Sequence, residues 1–159
     1  MRRIACLLLV TLPCLMVYAS DVGIPMPTGY REWPVITVAH EAGSFNDLRA
    51  VLGNEVAIQA FRDGKRPFPD GTIIARLAWR YVSSPQNDRV FGRAQSFIAG
   101  DPTNLQFMVK DSKRFAATGG WGFAQFDGGK PVKPAALASC FPCHRQIPGQ
   151  DLVFSHYSP

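Results

Sequence analysis

Sulfur and imidazole are scarce in this chain, with four cysteines and three histidines among 159 residues. That count excludes a disulfide-rich scaffold and leaves few side chains for a soft metal. Long apolar runs are missing too. The longest, Ile4 to Val17, is interrupted by Thr11 and Pro13 and is short for a bilayer span. There are no internal repeats, heptads or low-complexity tracts, which excludes solenoids and coiled coils. Neither sign of charge dominates: 17 basic and 12 acidic side chains give +5. The basic residues are scattered, so no nucleic-acid footprint is expected.

What is present begins with a segment that reads as a secretory signal. Arg2 and Arg3 form the basic end, Ile4 to Val17 the apolar stretch, and Val17-Tyr18-Ala19 a small-residue cleavage site. Residues 1–19 are therefore expected to be removed, giving a periplasmic or otherwise exported protein; a retained anchor is the alternative. Cys14 follows Thr-Leu-Pro, which does not make a lipoprotein signal. Cleavage takes Cys6 and Cys14 with it, leaving only Cys140 and Cys143. It also removes Arg2 and Arg3, so the formal charge falls from +5 to +3. Residues 20–159 suffice for one domain with a sizeable core.

Both remaining cysteines lie in Cys140-Phe141-Pro142-Cys143-His144. A CxxCH reads as covalent attachment of a c-type haem, with two thioethers and an imidazole on the iron. On a helical turn, positions i, i+3 and i+4 share a face, so all three groups can meet one macrocycle. A redox disulfide would normally follow an early strand of a βαβ unit. A zinc site would need two more ligands from His40, His156 or acidic residues, without the expected spacing. One haem c per chain is therefore expected, with His144 as its metal ligand. For a second axial ligand the mature chain offers Met26, Met108, His40, His156 and lysines, none compelling. That favours a five-coordinate iron open to a small ligand, whereas an electron-transfer cytochrome normally fills both positions.

The pattern along the chain predicts a strand after Pro34, another over 45–52, and a helix Glu55 to Arg62 capped by Asn54 and closed by Gly64. A long strand over 72–82 follows, then a loop over 83–88. Strands over 89–99 and 105–110 are joined by Gly100-Asp101-Pro102. Asp111 caps a turn, and a strand over 121–126 follows. Pro134 to His144 reads as the helix carrying the haem motif, and Asp151 to Tyr157 as a last strand. Short loops between strands favour an antiparallel sheet, so the fold class is α+β, mainly antiparallel β with short helices.

These residues resemble the cytochrome P-460 and cytochrome c′-beta family. The resemblance rests on Tyr30-Arg31-Glu32-Trp33, Asp70-Gly71-Thr72 and Val109-Lys110-Asp111-Ser112-Lys113-Arg114-Phe115. It extends through the strand holding Trp121 and Cys140 to His144, and ends with Asp151-Leu152-Val153-Phe154. It implies an exported, mostly antiparallel β protein, usually a homodimer, with one five-coordinate c-haem on His144. The implied activities are nitric oxide or carbon monoxide binding, and hydroxylamine oxidation with electrons passed to an external acceptor. In cytochrome P-460 proper, a lysine after the Asp-Gly-Thr turn is cross-linked to the porphyrin. The matching position here is Arg76, and a guanidinium is a poor nucleophile. Lys65 and Lys110 do not match that position. Phe45 and Arg49 occupy positions like the family's distal Phe and Arg, and together with Arg76 they are the distal-pocket candidates. The leading expectation is a cytochrome that binds nitric oxide or a related nitrogen compound. Hydroxylamine oxidation and simple electron transfer are the alternatives.

Overall fold

The protein is described here as a computed structural model covering residues 23–158. The expected signal, with Cys6 and Cys14, lies outside the described residues. Six strands form one sheet in sequence order: β1 (Val35–Glu41), β2 (Asp47–Gly53), β3 (Ile73–Ser83), β4 (Phe97–Lys110), β5 (Trp121–Asp127) and β6 (Lys130–Pro131). Every neighbouring pair is antiparallel, as the short connections require. The helices are short: α1 (Glu55–Arg62), α2 (Pro85–Phe91) and α3 (Cys140–His144), with 3-10 turns between elements. Among the described residues no helix is long and apolar enough to cross a membrane.

Alternation along the strands divides the core between the two sheet faces. On one face Leu52, Ala75, Leu77, Phe107, Ala124 and Phe126 form a cluster covered by Ile24, Met26, Tyr30 and Trp33 of the N-terminal segment. On the other, Val51, Ile74 and Trp121 pack with Ile58 and Phe61 of α1 and with Leu152 and Val153 near the C-terminus. Phe141 of α3 joins this second cluster, so the haem motif sits on the α1 side of the sheet.

Asn54 ties α1 to β3. Its Oδ1 accepts from Ala57 N at 3.0 Å, capping the helix, and from Ile73 N at 3.1 Å. Its Nδ2 donates to Gly71 O at 2.9 Å. Gly53 allows the close approach before the helix, because a Cβ there would stand 2.8 Å from Ile36 and 2.9 Å from Ala57.

Several sequence expectations are corrected. Residues 83–88 are not a loop, nor do 89–99 form one strand. Ser84 caps α2 through Asn87 N, Pro85 opens it, and Gly92 ends it in the left-handed region. The break expected at 100–102 is absent, and β4 runs through it. Pro102, which has no N–H to donate, pairs with Trp79 where the β3–β4 register is irregular. The helical stretch 134–144 is jointed into a 3-10 turn over Pro134–Leu137 and α3, with Ala138 and Ser139 between. The joint lets Pro142 sit in the first turn of α3, where its missing N–H costs little. Residues 151–157 are not a strand: Asp151 and Leu152 both have positive φ, which breaks extended pairing.

Candidate haem site

α3 gathers Cys140, Cys143 and His144 on one turn, as the spacing predicts. Both cysteines are free thiols, Cys143 exposed and Cys140 half-buried. Burial raises the Cys140 thiol pKa above its ordinary value; a hydrogen bond to its own backbone opposes the shift, and Cys143 adds a smaller push upward. The His144 ring lies 5.1 Å from Phe123 and 5.2 Å from Phe154. Its Nδ1 is 2.7 Å from the Leu152 carbonyl oxygen. A carbonyl only accepts, so Nδ1 carries the proton, and in the neutral ring Nε2 holds the lone pair that a metal needs.

This donor set fits a c-haem. Two thiols and one ligand-ready imidazole share a turn, and aromatic side chains that tolerate a flat apolar macrocycle flank them. Phe154 is a large aromatic left 50% exposed beside that imidazole. The zinc alternative does not fit, since among the described residues no three His, Cys, Asp or Glu side chains come together for a metal.

The distal candidates form a polar cluster on the same sheet face. The pairing places Phe123 opposite Met108 and Ile74, and in the next row of that face Gln125 opposite Gln106 and Arg76. Asp47, only 2% exposed, joins the two arginines. Its Oδ1 accepts from Arg49 Nε at 2.7 Å, and its Oδ2 from Arg76 Nη2 at 3.1 Å. Arg76 Nη1 also donates to Asn104 Oδ1 at 3.0 Å and Gln106 Oε1 at 2.6 Å. Gln106 passes the chain on to Gln125 at 2.7 Å. Burial, and then the neighbouring Arg49, lowers the Arg76 pKa; Asp47 opposes the shift. Arg76 Nε is buried without an acceptor, a cationic N–H left for a partner. Phe45 lies outside β2, in the turn before it, so it does not share a strand face with Arg49 as expected. It meets Arg49 instead by placing its ring 5.3 Å from the guanidinium carbon.

The other candidates separate cleanly. Met26 covers the opposite face. His40 is bound to Asn46 Oδ1 at 3.2 Å and stacked on Tyr81. Met108 packs against the core beside Ile74 and Phe123, and His156 is exposed. Lys65 is exposed. Lys110 is committed to Asp151 and to Gly119 O, so it does not replace a lysine at position 76.

The sequence reading does not include Asp47 or the Leu152 carbonyl. Asp47 carried a readable signal, because it lies two residues before Arg49 and so shares its face. The Leu152 carbonyl carried none, because any residue supplies one. A family model described as Cytochrome P460 matches residues 27–155. No curated protein matches the chain.

Proposed function

The chain belongs to the cytochrome P460 family, and from that membership we propose an exported mono-haem c-type cytochrome whose iron, held by His144, binds nitric oxide or a related small nitrogen compound. Membership implies a haem; its covalent attachment through Cys140 and Cys143, one per chain, is part of the proposal. The observation that carries the reading is the His144 imidazole, with Nδ1 bound to a carbonyl and Nε2 left for iron on the turn that presents both thiols. The bound haem would supply a metal that coordinates small ligands.

The protein's own groups do the rest. Cys140 and Cys143 tether the macrocycle, Phe123 and Phe154 flank the imidazole, and the Arg76–Asp47–Arg49 cluster offers N–H donors to a polar or anionic nitrogen oxide. Arg76 stands where the family's hydroxylamine oxidisers carry the cross-linking lysine, which weighs against that activity. A second copy is proposed to pack on the exposed apolar arm formed by Val82, Val90, Phe91, Phe97 and Ile98; light scattering of the purified protein checks it.

The test is the absorption spectrum of the as-isolated and reduced protein, with and without nitric oxide and hydroxylamine. A five-coordinate iron that changes spectrum on nitric oxide addition is expected. Six-coordinate low-spin iron in both redox states would remove the open site, and hydroxylamine-dependent electron flow to an acceptor would restore the enzyme alternative. Cys143→Ala should lose stable covalent attachment. His144→Ala should keep attachment but lose normal ligation, and normal ligation in that variant would refute the proximal assignment.

A further inference from the structure

The carbonyl that accepts the hydrogen bond from His144 Nδ1 is held in an unusual way. It belongs to Leu152, whose φ is +65°, and it follows Asp151, whose φ is +49°. Two successive non-glycine residues in the left-handed region persist only where their surroundings hold them there. Here the holders come from the sheet and the loop before it. Lys110 Nζ, on β4, donates to Asp151 Oδ1 at 2.8 Å and Oδ2 at 2.9 Å. Phe68 N donates to the same carboxylate at 2.8 Å. Trp121 Nε1, on β5, donates to the Asp151 carbonyl at 2.8 Å.

Lys110 is 6% exposed and Trp121 fully buried. A third bond from Lys110 Nζ to Gly119 O, at 3.1 Å, uses the remaining ammonium proton. Asp151 is thus gripped at its side chain and its backbone, one residue before the carbonyl that His144 uses.

The structure assigns Lys110, Asp151 and Trp121 a role as positioning residues for the metal ligand: they fix the Leu152 carbonyl so that its bond to His144 Nδ1 stays short and the imidazole stays oriented. A strong acceptor on Nδ1 increases the electron donation of Nε2 to its metal, so the same grip sets how firmly iron is bound and how readily it is reduced. This inference rests on the haem reading above. A staple that only held the chain together would affect unfolding and leave the iron's properties alone.

The test uses the haem-loaded protein with Asp151→Asn and Trp121→Phe, the second keeping an aromatic ring in the core. Resonance Raman of the ferrous, unliganded state reads the iron–imidazole stretching band, and a redox titration reads the midpoint potential. Both variants should move the band to lower frequency and raise the potential, Asp151→Asn more. Leu77→Ala, a core truncation on the opposite sheet face, should lower thermal stability and leave both readings at the wild-type values.

Unmoved readings in Asp151→Asn and Trp121→Phe would overturn the inference, as would an equal shift in Leu77→Ala. If Asp151→Asn does not fold, Trp121→Phe alone decides. A wild-type protein with no iron–imidazole band would fail the haem reading and this inference with it. A normal wild-type band with unmoved variants would fail only this inference.

Discussion

At the scale of single residues, the informative ones are buried charges whose partners lie far along the sequence. Asp47 holds both Arg49 and Arg76, and Arg76 is 29 positions away. The β2–β3 register brings them together: Arg76 pairs with Val51, and Asp47 with Arg80. Alternation alone identified the face that Arg76 uses, since Ile74 and Ala78 share it, but it could not name Asp47 as the partner. Arg76→Met should leave the Asn104 and Gln106 oxygens without their donor and Asp47 with Arg49 alone. It should cost about 1–3 kcal/mol in urea unfolding, the usual range for polar groups stranded away from solvent, at the low end because both acceptors are only half-buried. A variant as stable as wild type would show that the cluster contributes nothing net. Asp70 gives a pH-dependent counterpart on the surface. Its carboxylate accepts from Ser112 Oγ and Ser112 N, at 2.7 and 2.8 Å, and these bonds lower its pKa in the folded state. A lowered folded pKa means that the stabilisation is present above the ordinary carboxylate range and is lost as the pH falls through the lowered value. Asp70→Asn should therefore melt below wild type at neutral pH, with the gap closing at acid pH, below the ordinary carboxylate range. An equal gap at both pH values would contradict the assignment.

At the scale of elements, local chemistry was legible where caps are local and illegible where the sheet overrides them. Asn54 is readable as a cap from its place before Glu55. Its bonds to Ile73 N and Gly71 O are not, because they depend on how β3 returns past the helix. Asn54→Ala removes all three interactions and should cost about 1–2 kcal/mol or somewhat more, the cap supplying part and the orphaned Ile73 N–H the rest. Asn54→Asp, which keeps the acceptor but not the donor, should recover most of the loss in the same denaturant titration. A cost in Asn54→Asp equal to that in Asn54→Ala would place the stabilisation in the Gly71 bond instead. α2 had a readable signal in Ser84-Pro85, a capping residue followed by the favoured first helical residue. The β-branched and aromatic residues after it outweigh that signal in a strand reading. β4 reverses the lesson. Gly-Asp-Pro reads as a break, but a bulge lets the strand carry Pro102 through, because the irregular register needs no donor there.

At the scale of the whole molecule, the two sheet faces differ in what they depend on. The face under the N-terminal segment is packed by side chains of the sheet and of that segment, with Phe107 between Tyr30 and Phe126 in edge-to-face contacts at 5.4 and 5.8 Å. The other face is closed partly by α1 and partly by a C-terminal segment with little regular structure. That segment is fixed by Asp151, by the His144–Leu152 bond and by burial of Leu152 and Val153. The CxxCH makes the chemistry proposed for this segment legible, because thioether attachment would be encoded by spacing within five residues. Its seat on the sheet was not announced, since that depends on a lysine and a tryptophan from separate strands. Covalent haem would add contacts to this segment and none to the opposite face, so its loss should be felt unevenly. In hydrogen exchange, protein made without haem should keep wild-type protection in β2, β3 and β4 and lose it over residues 134–157. Uniform loss of protection across all six strands would mean that the sheet itself needs the cofactor, and that the two faces are one cooperative unit.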